Sequence, residues 1–166
     1  SGTGIKESIF MRTSNRDSTM CRMCHPDTDG GIDAGNHPLD TTKQEIPAKL
    51  VALGAVSGQK KNQVICETCH TAHGSPYEGY LVESGGESGL CIEYHRDKDI
   101  FMPDGKKKPF HIINTRPANV KIPESLMKRG AKLGDNGVIT CETCHKVHHN
   151  KIERQLLLIA QDNKSG

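Results

Sequence analysis

Cys21-Arg-Met-Cys24-His25, Cys66-Glu-Thr-Cys69-His70 and Cys141-Glu-Thr-Cys144-His145 repeat one spacing three times: two thiols three residues apart, then an imidazole. That arrangement suits covalent capture of a porphyrin. The thiols form thioethers to two vinyl groups, and the adjacent histidine takes an axial position on the iron. A fourth segment, Cys91-Ile-Glu-Tyr94-His95, keeps the length and both ends, but Tyr94 stands where the second thiol belongs. The three complete motifs and Cys91 use all seven cysteines. A disulfide framework fits an odd count poorly and does not explain the histidine after each pair. Zinc is the other chemistry open to paired cysteines and histidines. Three identical spacings and a near-copy favour haem c.

The segments that position these groups occur twice. DSTMCRMCHPD from Asp17 matches ESGLCIEYHRD from Glu87, and Glu45 to His73 matches Lys121 to His148. Cys21 to Cys91 is a step of 70 residues, and Cys66 to Cys141 a step of 75. The chain therefore reads as tandem dihaem modules, residues 1–86 and 87–166. This duplication puts Cys91–His95 in a haem slot, so four haems c are expected, one held by a single thioether from Cys91 with His95 on the iron. The alternative is a relict site without haem. The C-terminal KIERQLLLIAQDNKSG resembles PYEGYLVESGGESG ahead of Leu90-Cys91, and KESIFMRTSNRDSTM plays the same part before Cys21. The modules thus look able to continue into an array or a head-to-tail polymer.

Nine histidines are present. His25, His70, His95 and His145 are the motif ligands. The repeat pairs His37 with His111 and His73 with His148, which supplies four further imidazoles for four irons. His73 and His148 each lie three residues past a motif histidine, too close to reach the far side of the same iron, so each should ligate another haem. His37 and His111 sit on looser segments expected to wrap back over the haem of the preceding motif. His149 is left over and reads as a surface histidine, although it could replace His148.

The composition makes the haems structurally necessary. Tryptophan is absent, 34% of residues are hydrophobic, and 17 glycines with 8 prolines interrupt regular structure. A chain of 166 residues with so little apolar mass struggles to bury a core unaided. The expected fold is mostly irregular with short α-helices, haem-packed, with little β. Ile46–Leu53 and Ile122–Leu133 are the helix candidates, each with Pro near its start. Ile9–Met11, Tyr80–Val82 and Leu156–Ile159 are short strands or apolar patches against haem. The net charge of +2 carries no basic stripe, which gives nucleic-acid binding no support. Two propionates on each of four haems would take the balance from +2 to about −6. No apolar run is long enough to span a membrane. The absence of an initiating methionine and of a leader fits a mature periplasmic or extracellular product. Lys106–Lys108 reads as a solvated turn, with a docking patch as the alternative. The five methionines read as haem-packing side chains, Met23 and Met102 being axial ligands only if a histidine is missing.

CETCHTAHGS (Cys66 to Ser75) and NHPLD (Asn36 to Asp40) resemble the doubled-CxxCH family of multihaem cytochromes c. The likeness implies an electron carrier rather than an enzyme, working with redox partner proteins or with neighbouring copies of itself. Similar chains include periplasmic carriers and subunits of extracellular cytochrome filaments. Histidine on both faces of each iron leaves no site for substrate and keeps potentials low. A multihaem reductase is the rival reading and would need one iron with an open face, the altered Cys91–His95 position being the natural suspect. Tyr94, and Ile112 in the place of a proline, depart from the pattern.

Overall fold

Short helices alternate with tight turns in the computed structural model, which describes residues 15–85, 88–96, 113–117, 121–152, 156 and 157. The helices are α1 (Thr19–Cys24), α2 (Ala48–Ala52), α3 (Cys66–Cys69), α4 (Gly89–Tyr94), α5 (Glu124–Lys128) and α6 (Cys141–Cys144). No strand occurs among the described residues; antiparallel pairing is confined to isolated bridges such as His70 with Leu81 and His145 with Leu156. The fold is therefore mostly irregular with short helices, as the glycine and proline content implies.

The two helix candidates are shorter than their apolar pattern. Pro47 and Pro123 stand outside α2 and α5 as N-caps, at ψ 135° in both cases. Gly54 (φ +109°) and Gly130 (φ +96°) then stop the helices in a left-handed conformation that L side chains adopt only at a cost. Leu133, expected inside the second helix, instead bridges to Ile139. The strand candidates are single pairing points. Val82 donates its N–H to the Cys69 carbonyl at 3.0 Å, and Leu157 to that of Cys144 at 2.8 Å. Ile9–Met11 and Leu158–Ile159 lie outside the described residues.

Apolar packing crosses the 86/87 boundary. Ile46, Leu50, Ala55 and Val82 form a small buried cluster, and Leu90 and Tyr94 of α4 pack against it. Lys49 on α2 adds ion pairs to Glu83 and to Glu93 of α4, both at 3.0 Å. Their solvent exposure makes each worth a few tenths of a kcal/mol at most, about 0–1 kcal/mol for such pairs. A second contact ties residues 148–150 to the start of the chain. Asn150 donates its N–H to the Gly35 carbonyl at 2.8 Å, and His149 donates to Asn36 Oδ1 at 3.0 Å. Asn36 is fully buried and uses its amide to bond the Asp27 and Asp29 carbonyls, at 2.9 and 2.8 Å.

Gly35 makes this approach feasible. It adopts φ +82°, and a Cβ there would lie 2.6 Å from the Asn150 carbonyl carbon. Gly35→Ala should therefore cost the conformational penalty plus a backbone clash, about 2–4 kcal/mol together. Gly74→Ala is the control, since Gly74 has φ +76° but nothing within 4 Å. Thermal melts of the two variants should show the larger loss for Gly35→Ala; equal losses would mean that the 35–150 contact does not stabilise the fold.

Candidate functional site

Each cysteine motif forms a single helical turn. Residues i and i+3 share a helix face, so Cys21 and Cys24, Cys66 and Cys69, and Cys141 and Cys144 each present two thiols on one side. The motif histidine follows as the C-cap, its N–H bonded to the carbonyl of the first cysteine at 2.9 Å for His25, His70 and His145. Cys91–His95 does the same, at 2.7 Å, despite Tyr94.

The turns fall into two geometric types. His25 and His95 leave their helices at ψ 58° and 57°, while His70 and His145 leave at ψ 146° and 143°. α1 and α4 both begin at a buried serine, Ser18 or Ser88, with φ near +60°. α3 and α6 instead begin from extended residues and are capped from within. Thr68 Oγ1 accepts the Ile65 N–H at 2.9 Å and donates to the Val56 carbonyl at 2.8 Å. Thr143 Oγ1 accepts from Thr140 N–H at 2.9 Å and donates to the Lys132 carbonyl at 2.6 Å. The altered motif thus has the backbone of the Cys21–His25 type, the position its spacing assigns.

The thiols of the two types are brought together. Cys66 is in hydrogen-bonding contact with Cys21, and burial pushes its thiol up. Cys91 and Cys141 are likewise hydrogen-bonded. That bond pulls Cys141 down to about 6 and pushes Cys91 up. Burial also raises Cys69, to about 11.

Two further histidines face motif histidines across the chain. The His37 and His95 ring centroids are 6.1 Å apart, and those of His70 and His148 are 6.2 Å apart. Burial lowers the pKa of both His37 and His148, that of His148 to about 4, with His95 and His70 as the next causes. Both rings are therefore neutral near pH 7 and keep a lone pair for a metal. The expectation that His37 folds back over the Cys21–His25 haem differs from this placement. The Gly30-Gly31 and Gly35 turns, all at positive φ, carry His37 to His95 instead. His148 does reach a motif other than its own. His73 and His25 are exposed, and His111 lies outside the described residues, as do Met102 and Lys106–Lys108. His149 is half-exposed, with its ring 6.2 Å from His148 and Nε2 3.9 Å from Asp27.

The residues present fit a haem iron. Two imidazoles that held one metal between them would have ring centroids about 6 Å apart, from two metal–nitrogen bonds of about 2 Å plus the ring radii; His37–His95 and His70–His148 are compatible with that separation, as is His148–His149 at 6.2 Å. His70 Nδ1 lies 2.8 Å from the Gly79 carbonyl, a partner that holds the Nδ1–H tautomer and frees Nε2 for a metal. His148 Nδ1 is buried with no hydrogen-bond partner, so a ring nitrogen is present without a protein acceptor. His145, His148 and Val147 line a cleft of about 200 Å³ together with Lys132 and Glu142. Met23 is 73% exposed between Cys21 and Cys24, an apolar surface suited to a flat macrocycle. No group of three or more His, Cys, Asp or Glu converges among the described residues.

Residues 56–100 match the family model described as doubled CXXCH motif. No curated protein and no solved structure matches the chain. The matched stretch runs through Cys66–His70 and on across Cys91–His95, so the Tyr94-bearing turn falls within it. The chain is thus c-type cytochrome-like, and its CXXCH motifs imply covalently bound haem c. No helix among the described residues is long and apolar enough to cross a membrane.

Ser18, Ser88, Thr68 and Thr143 were not singled out from the sequence. Their signal was present in the matched DSTMC and ESGLC segments and in the repeated CETC. Thr68→Val should leave the Ile65 N–H and the Val56 carbonyl without their partner and cost about 1–3 kcal/mol. Chemical denaturation followed at the Soret band would read that loss, and an unchanged midpoint would show that water replaces the hydroxyl.

Proposed function

We propose that this chain is a multihaem c-type cytochrome that carries electrons along four closely packed, low-potential haems. The carrying observation is the pair of opposed imidazoles, His37 with His95 and His70 with His148, at the spacing of trans ligands on one metal. On this reading residues 1–86 and 87–166 are dihaem modules. Cys21, Cys24, Cys66, Cys69, Cys141 and Cys144 supply paired thioethers, Cys91 a single one, and His25, His70, His95 and His145 the proximal ligands. His37, His73, His111 and His148 supply the opposite faces. Haem c, when bound, contributes a one-electron Fe(III)/Fe(II) couple, and ligation by two histidines holds its potential below that of a Met/His pair. The protein would fix the spacing and orientation of the groups. Thiol contacts between Cys21 and Cys66, and between Cys91 and Cys141, favour close approach of the attached groups. The reductase reading would need an open face at the altered motif, and the His37 ring 6.1 Å from that of His95 weighs against it. Electron carriage then needs no substrate site. A periplasmic or extracellular location follows from covalent haem attachment.

A second reading, a head-to-tail filament subunit, is favoured by the direction of the pairs. His37 serves the first-type motif one module ahead, and His148 serves the second-type motif one module behind. Applying the same step again sends His73, the counterpart of His148, to the His145-type motif of a preceding copy. The exposure of His73 is compatible with that role. By the repeat, His111 would serve the His25-type motif of a following copy.

The intact mass of the holoprotein should show four covalent haems; three would remove the claim for a thioether at Cys91. His37→Ala and His148→Ala should each keep that mass and turn one haem from low-spin to high-spin by electron paramagnetic resonance, whereas a fully low-spin spectrum in both would refute the assigned pairs. For the filament, light scattering and negative-stain images should show polymers that His73→Ala dissolves into single chains. Monomeric wild type with every haem low-spin would leave the carrier and discard the filament.

A further inference from the structure

We infer that Ser18 and Ser88 are positioning residues that clamp the two haem motifs of each module together and thereby set the electronic contact between the attached groups; the inference rests on the multihaem reading above.

Each serine is an N-cap that does not cap its own helix. The Ser18 carbonyl accepts the Arg22 N–H and that of Ser88 the Ile92 N–H, both at 2.9 Å, so each residue starts its helix in the usual way. The hydroxyls, which ordinarily bond to the second or third amide of the same helix, make no such bond. At α1 that work is done by neighbours. Asp17 Oδ1 accepts the Thr19 N–H at 3.1 Å and Asn15 Oδ1 the Met20 N–H at 2.9 Å. Ser18 Oγ is left to accept the N–H of Cys66, 48 residues away, at 2.8 Å. Ser88 Oγ accepts the N–H of Cys141, 53 residues away, at 2.9 Å.

These bonds reach the first amide of the partner motif's helix, a donor that the short helix cannot satisfy itself. They join the strand entering one cysteine turn to the first cysteine of the other. They use no thiol hydrogen, so thioether formation leaves them intact. Both serines are 0% exposed, leaving no water to substitute for the hydroxyl.

The backbone shows why a residue other than glycine stands there. Ser18 has φ 61° and ψ 16°, and Ser88 φ 60° and ψ 11°, in the left-handed region. Glycine would adopt that conformation without penalty, whereas an L side chain is strained there. The same cost at two matched positions, each carrying the same long-range hydrogen bond, is accounted for by the hydroxyl. Threonine would add a β-branch in a fully buried, left-handed position, and alanine would keep the strain and lose the bond.

The test uses the holoprotein with Ser18→Ala, Ser18→Gly and Ser88→Ala. Intact mass and the low-spin signal report whether haems are present and ligated. The Soret circular-dichroism couplet and the spread of midpoint potentials report how closely paired haems interact. Ser18→Ala and Ser18→Gly should both keep every haem, lose the couplet component of the first module and narrow its potential spread. Ser88→Ala should do the same in the second module only. A couplet kept by Ser18→Gly would show that backbone conformation, not the hydroxyl, sets the geometry, and would overturn the clamp. Unchanged couplets in all three fully loaded variants would overturn it as well. Wild type carrying a single haem per module would instead overturn the dihaem-module reading, and the clamp with it.

Discussion

A helix of one turn cannot stabilise itself, because nucleation fixes several residues for a single hydrogen bond. Every cysteine motif in this chain is such a turn, four to six residues long. Each therefore depends on bonds from outside its own length. Those bonds come from small buried hydroxyls, Ser18 and Ser88 toward the partner motif and Thr68 and Thr143 from within, and, at the first turn of α1, from the buried Asn15 amide and the more exposed Asp17 carboxylate. With few apolar side chains to bury, the chain relies on saturating polar groups in enclosed positions. Leaving one unpaired costs more than a typical hydrogen bond gains.

The same constraint explains why the two halves interlock. Among the described residues, a small cluster of buried apolar side chains is completed by Leu90 and Tyr94 from across the 86/87 boundary. Asn36 and Gly35 receive residues 149 and 150 in a contact too close for a Cβ. The two imidazole pairs also cross that boundary. Packing, polar saturation and histidine pairing thus join the same two segments, so the fold behaves as an interleaved unit even where the sequence reads as a tandem repeat.

How much of this was legible in the sequence depends on the range of the interaction. The CxxCH turns follow from local spacing, and the structure puts each on a helix. Pro47, Pro123, Gly54 and Gly130 also carried the helix limits, since their backbone preferences are intrinsic; the apolar pattern alone overran them. His148 was directed away from its own motif by simple reach. His37 was not readable in the same way, because its path is set by successive positive-φ glycines and by the docking of residues 149 and 150 beside Asn36. Long-range polar bonds such as Ser18 to Cys66 leave no periodicity behind. Their trace was the recurrence of one serine in two matched segments.

Tyr94 shows how a motif can lose a ligand-forming group and keep its place. The backbone from Ser88 to His95 follows that from Ser18 to His25 closely, so the substitution did not disturb the turn. The phenol ring packs against the Ile46–Val82 cluster and lies 5.8 Å from His95 by ring centroids. The position of a thiol is thus taken by apolar contact with the chain's main buried cluster. On the proposed reading the iron at this position keeps both imidazoles, and the macrocycle keeps one covalent link through Cys91. Tyr94 anchors α4 from the protein side, where the other motifs carry a second thiol. The cost is a buried phenolic oxygen with no hydrogen-bond partner, which holds the Tyr94 pKa above its ordinary value through burial.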